Sequence, residues 1–152
     1  MSAIMLDTCG LIWLANGGGA ISNETLEFIQ NADVVYVSAA TAFEIGCKAA
    51  MGKLELSMAA GKWYSKALEI HDLAEIPVTG KIAMASAALP FIHTDPADRI
   101  IIATAKLNHL PIVTHDARFE KYSVLVLGCP LQIDRGNVGN FIHHTSERRH
   151  DC

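Results

Sequence analysis

Ala3, Ile4, Met5, Leu6, Asp7, Thr8: apolar residues are followed at once by a carboxylate and a hydroxyl. A short apolar run closed in this way reads as a strand of a parallel sheet, which is covered on both faces and therefore needs no polar alternation. The acid then stands at the carboxyl end of the strand. The same order returns at Ile112 to Thr114, which leads through His115 to Asp116. Val34 to Val37, Leu73 to Val78 and Val124 to Leu127 are further runs of this kind, mostly β-branched.

Helical patterns lie between the runs. Ser22 caps a segment to Asn31 with Leu26 and Ile29 on one face, and Ser38 to Met51 is Ala-rich and stops at Gly52. Lys62 to Ile70 and Lys81 to Leu89 read as helices too. Asp95, Pro96, Ala97, Asp98 is a helix start, with Asp95 as cap, Pro96 in the first position and an acid in the first turn; the helix runs to about Asn108. Alternating βα units with right-handed crossovers predict an α/β fold, an open and mostly parallel sheet with helices on both faces. Gly17 to Gly19 is a linker between helices, because the Lys and Ser or Thr that complete a phosphate loop do not follow it.

Composition sets wide bounds. The 152 residues are 51% hydrophobic and 18% charged, as expected of one globular domain able to bury a core without disulfides. Cys9, Cys47, Cys129 and Cys152 form no CxxC pair, and the N-terminus lacks a signal-peptide pattern, so a cytoplasmic location is expected. No apolar run approaches the ~20 residues of a membrane-spanning helix. A net charge of −4 gives no general attraction for nucleic acid, so a polyanion would have to be held by a local basic patch and bound cations.

Asp7, Glu44, Asp98 and Asp116 each adjoin an apolar run. An unpaired charge there costs several kcal/mol on rough estimates, which favours pairing, hydrogen bonding or a shared cation. Acids gathered in this way repel one another when empty and suit Mg²⁺ or Mn²⁺, hard ions that take oxygen ligands. Phosphodiester hydrolysis is the chemistry such a site implies. Each acid also has a plainer role. Asp7 and Asp116 suit helix capping, Asp98 favours the helix dipole, and Glu44 could pair with Lys48 at i,i+4, although Ala40, Phe43, Ile45 and Cys47 make that face hard to keep wet. Placement of Asp7 and Asp116 at the carboxyl edge of the sheet, where open α/β folds bind ligands, raises the functional reading.

Met1 to Leu127 resembles the PIN domain, a family of metal-dependent ribonucleases that includes the VapC-like toxins of bacterial toxin–antitoxin pairs. The resemblance is carried by Leu6, Asp7, Thr8; by Ala42, Phe43, Glu44, Ile45; by Asp95, Pro96, Ala97, Asp98, Arg99 before Ile102, Ala103, Thr104, Ala105; and by Val113, Thr114, His115, Asp116, Ala117, Arg118, Phe119. It implies a three-layer α/β/α fold with a five-stranded parallel sheet in the order 3-2-1-4-5, which brings the ends of strands one and four together. It further implies that Asp7, Glu44, Asp98 and Asp116 form the catalytic acidic quartet that holds Mg²⁺ or Mn²⁺. Thr8 and Thr114 match the small polar positions beside the acids.

Arg99 and Arg118 adjoin the acids and could hold substrate phosphates, or pair with Asp95 and Glu120. The implied partners are an RNA substrate, a cognate antitoxin protein and a second copy of the chain, with Trp13, Trp63 and Phe43 as packing or dimer contacts. Residues 1–133 are expected to form the domain. Residues 134–152 read as a poorly ordered C-terminal tail, with one short strand near Leu131 to Ile133. His143, His144 and His150 lack the Cys or Asp spacing of a zinc site. Alternatives are a non-catalytic RNA- or protein-binding module on this scaffold and an α/β phosphotransfer enzyme using Asp7; against the latter, position 9 is Cys where a haloacid-type phosphatase has a second Asp.

Overall fold

A computed structural model describes residues 2–18 and 21–127. The strand expected near Leu131 to Ile133 and the tail over residues 134–152 lie outside the described residues.

The elements follow in the order β1 (Ala3–Leu6), α1 (Thr8–Ala15), α2 (Asn23–Asn31), β2 (Val34–Ser38), α3 (Ala39–Ala50), α4 (Ala60–Ile70), β3 (Leu73–Ile76), α5 (Gly80–Ala87), α6 (Pro96–Asn108), β4 (Ile112–Val113), a 3-10 helix (Ala117–Tyr122) and β5 (Val126–Leu127). All strand pairs are parallel and the sheet order is β3-β2-β1-β4-β5, as the resemblance implies. Met5 pairs with Ile112 and Leu6 with Val113, so the chain leaves β1 and β4 side by side.

Strand periodicity sorts the core into two. Ile4 and Leu6 enter one cluster with Leu11, Ile29, Ile45 and Trp63, while Met5 between them enters the other with Ile82, Ile101, Ile102, Ile112 and Phe119. Trp13 and Trp63 belong to the first core, whereas Phe43 is 73% exposed, so of these aromatic residues only Phe43 offers a surface for contact. Truncating a fully buried Ile101 or Ile102 to Ala should cost roughly 2–5 kcal/mol.

Helix starts follow their caps. Ser22 accepts from the amide of Thr25, Ser38 from Ala40, Thr79 from Ile82, and Asp95 from both Ala97 and Asp98 with Pro96 in the first turn. The strand expected over Leu73 to Val78 ends at Ile76, before Pro77, which has no amide proton to continue the ladder. Cys47 is a free thiol. Among the described residues no helix is long and apolar enough to cross a membrane.

Candidate active site

Asp7 follows β1 directly and is fully buried. Its Oδ1 accepts the amide of Gly10 at 2.7 Å, which makes it the cap of α1. Its Oδ2 accepts the Thr114 hydroxyl at 2.7 Å. Thr114 in turn accepts the amide of Asp116 at 3.1 Å, so one hydroxyl at the end of β4 ties the two strand-end acids together. Gly10 packs closely here: a Cβ would stand 3.2 Å from Asp7 Oδ1 and 3.3 Å from the Val113 carbonyl, so one of them would have to give slightly.

Glu44 enters from α3. The Lys48 pair weighed from spacing is formed at 2.9 Å, but it is buried rather than wet, with side-chain exposures of 3% and 4%. Thr8 donates to the other carboxylate oxygen, Oε2, at 2.5 Å and lies 3.3 Å from the Thr41 hydroxyl. Thr8 and Thr114 are buried, and both hydroxyls are engaged with the acids.

Asp98 and Asp116 meet at a residue that sequence reasoning passed over. His93 is 1% exposed, and its Nε2 lies 3.1 Å from Oδ2 of Asp98 and 3.1 Å from Oδ2 of Asp116. One ligand atom from each of the three residues falls within 4.8 Å of the others. Burial alone would push the imidazole pKa down, but its bonds to Asp116 and Asp98 outweigh that and hold it up at about 9. Burial likewise pushes the Asp116 carboxyl up, and the His93 and Arg118 hydrogen bonds overcome it to hold the acid well below the usual carboxylate range. The only sequence signal for His93 was its place two residues before the Asp95 cap. No periodicity marks it.

The two arginines part company. Arg118 wraps its own Asp116, with Nε 2.9 Å from Oδ1 and Nη2 2.7 Å from Oδ2, and remains 35% exposed. Arg99 is buried and serves the backbone: Nη1 donates to the carbonyls of Pro90 and His93, and Nη2 to those of Ser86, Ala87 and Leu89. The exposed Phe91 ring covers it at 4.7 Å. In place of the pair with Asp95, these bonds make Arg99 a clamp on the connection from α5 to α6. His115 packs against Trp13 with ring centroids 4.7 Å apart rather than facing open solvent.

The acids are therefore not a bare cluster of repelling charges. Lys48 stands against Glu44, Arg118 and His93 against Asp116, His93 against Asp98, and neutral donors meet Asp7.

A five-stranded parallel sheet in this order, with acids at the adjoining ends of its central strands, defines a class of α/β proteins that use the sheet's carboxyl edge. The chain belongs to the PIN domain family, whose model matches residues 4–125. It is 28% identical over 123 residues to Ribonuclease VapC22 of Mycobacterium tuberculosis, covering 80% of this chain and 93% of that protein. Among solved structures it is similar to FitAcB from Neisseria gonorrhoeae, at 25% identity and TM-score 0.56 over 82% of this chain and 96% of that one. It is also similar to VapBC2 from Rickettsia felis bound to a DNA fragment from their promoter, at 18% identity and TM-score 0.59 over 82% and 97%.

Proposed function

We propose that the protein is a divalent-metal-dependent endoribonuclease and the toxin half of a toxin–antitoxin pair. The observation that carries the reading is the arrival of Asp98 and Asp116 at one point beside the Asp7–Thr114 link, at the carboxyl edge of a PIN sheet. The donor set fits the cation: Asp7, Glu44, Asp98 and Asp116 offer buried carboxylate oxygens, the hard ligands that Mg²⁺ and Mn²⁺ prefer. When bound, such an ion supplies an activated water and polarises the phosphodiester.

The chain's own residues do the rest. Gly10 and Thr114 fix the two oxygens of Asp7, and Thr8 fixes Glu44, so these acids are oriented before any ligand arrives. Lys48 and Arg118 neutralise acids in the absence of a cation. Arg118 is exposed enough to leave Asp116 for an incoming phosphate, a bidentate match for a guanidinium. Lys48, at 3% exposure, is confined beside Glu44.

RNA as substrate is supported by the likeness to Ribonuclease VapC22, and an antitoxin partner by the likeness to the toxin–antitoxin complex from Klebsiella pneumoniae, at 22% identity and TM-score 0.58. The test is to incubate the purified protein with matched RNA and DNA oligonucleotides in Mg²⁺, Mn²⁺ or EDTA. RNA cleavage that stops in EDTA and in folded Glu44→Gln is expected. Cleavage that persists in EDTA would overturn the metal role, and cutting of DNA alone would overturn the substrate.

A further inference from the structure

We propose that His93 is the positioning residue of this site: a fixed N–H donor that sets Asp98 and Asp116 relative to each other without itself becoming a metal ligand. The proposal rests on the reading of those two acids as metal carboxylates.

Three residues with ligand atoms this close suggest, on distance alone, a mixed nitrogen and oxygen metal site. The other ring nitrogen decides otherwise. Nδ1 accepts the backbone amide of Asp95 at 3.2 Å. An amide nitrogen only donates, so Nδ1 presents its lone pair and the proton of a neutral ring sits on Nε2. An imidazolium carries a proton on Nε2 as well, although its second proton, on Nδ1, would displace the Asp95 amide, so the bond to Asp95 belongs to the neutral ring. In both states the atom 3.1 Å from each carboxylate offers a hydrogen, where a ligand would have to offer a lone pair.

Ligation through Nε2 would force the neutral ring's proton onto Nδ1, directly against the Asp95 N–H. That amide has little freedom to turn aside. Asp95 caps α6 with φ −69° and ψ 119°, and Pro96 behind it disfavours the helical conformation for Asp95.

The elements that carry the acids also hold the histidine. Arg99, next to Asp98 on α6, donates to the His93 carbonyl at 3.1 Å. Tyr122, on the 3-10 helix that begins after Asp116, accepts the His93 amide at 2.6 Å and donates to the Pro90 carbonyl at 2.9 Å. Phe119 of the same helix meets the imidazole edge-on, with centroids 5.8 Å apart. His93 is thus anchored to both sides of the carboxylate pair, hydrogen-bonded through Nε2 to Asp116 and 3.1 Å from Oδ2 of Asp98. The N–H is accepted by one oxygen of Asp116 and stands 3.1 Å from one oxygen of Asp98, and a carboxylate has roughly four lone-pair sites, so this contact leaves room for a cation.

The test uses Mn²⁺ as probe and the whole protein. In metal-free wild type, long-range ¹H–¹⁵N correlation of the ring should find the proton on Nε2; a neutral ring protonated on Nδ1 would overturn the proposal. In the Mn²⁺ complex, pulsed EPR should show no directly coordinated imidazole nitrogen, and a nitrogen coupling that vanishes in His93→Gln would overturn it. By titration, Mn²⁺ affinity should fall at least ~10-fold in His93→Ala, the range for outer-shell partners of metal ligands, and stay within about threefold in His93→Gln, which keeps an N–H at similar reach. Equal losses in the two variants would refute positioning by a donor. Wild type that binds Mn²⁺ no better than Asp98→Asn would overturn the metal reading of the acids, and the proposal with it; that failure is seen without any His93 variant.

Discussion

The Glu44 side and the Asp98–Asp116 side of the site both bury carboxylates at one edge of the sheet, yet they are neutralised by different means. Glu44 meets Lys48 from the next turn of its own helix, so folding α3 is enough to make the pair. Asp98 and Asp116 meet through His93, which is held by a clamp from α6, a tyrosine from the 3-10 helix and a backbone amide. The cation beside Glu44 comes from its own helix, whereas the meeting of Asp98 with Asp116 exists only in the assembled fold, although Arg118 also pairs with Asp116 locally. Local neutralisation should therefore yield to a single substitution with little effect elsewhere, while damage to the assembled half should spread.

The largest effect should come from Asp98→Asn, with RNA cleavage reduced at least ~1000-fold, about 4 kcal/mol of barrier, in a protein that still folds. Asp95→Asn should change the rate little, since Asp95 caps α6 and Asn caps nearly as well. Comparable losses in single-turnover assays of both would merge the capping and metal roles separated here.

Arg99→Ala comes next. It strands buried carbonyls from Ser86 to His93, and by urea unfolding should cost about 3–4 kcal/mol, whereas Arg118→Ala, with a part-exposed side chain, should cost below about 1 kcal/mol. Equal costs would remove the contrast between clamp and site arginine.

Lys48→Met should destabilise the protein in EDTA by about 2–3 kcal/mol, because it leaves a buried carboxylate without its cation. Mg²⁺ should recover much of that loss and should raise the melting temperature of this variant more than that of wild type. A smaller Mg²⁺ shift than in wild type would show that Lys48 assists the cation instead of standing in for it.

The smallest effect is expected at Gly10→Ala. Helix propensity favours Ala by up to about 1 kcal/mol, but the new methyl presses on Asp7 Oδ1 and the Val113 carbonyl, so stability should stay within about 1 kcal/mol of wild type while cleavage falls roughly tenfold. Thermal melts and rate measurements on one preparation check both halves of that expectation.

Much of the fold was legible because it rests on short-range rules. The apolar runs marked the strands, and Ser22, Ser38 and Asp95 marked helix starts through side chains that reach only two or three residues ahead. Strand order came from the family resemblance; periodicity alone does not order strands. In the site, Asp7 and Asp116 were visible as acids closing strands. What lay hidden was who meets them. Lys48 was visible as a partner by spacing but not as a buried one, since burial depends on what packs over α3. His93 and Tyr122 were silent because they are 29 residues apart and come together only when the 3-10 helix returns to the α5–α6 connection. The backbone role of Arg99 was hidden for a related reason: nothing in its sequence neighbourhood shows that its guanidinium reaches carbonyls as far back as Ser86.

The Arg99 clamp has a consequence for how this segment can vary. A guanidinium is planar and its donors leave in a fixed fork, so the carbonyls it receives must arrive at set places along the backbone. Ala87, Ala88, Pro90, Phe91 and Ile92 turn their side chains outward, and most of these could be exchanged for other residues with small loss. Adding or deleting one residue is a different matter, because every carbonyl beyond the change would shift out of the fork and His93 would leave the acids with it. Surface connections ordinarily accept changes of length more readily than the elements they join. Between Ser86 and His93 the tolerance is inverted: the outward residues can change their spelling more readily than the segment can change its length.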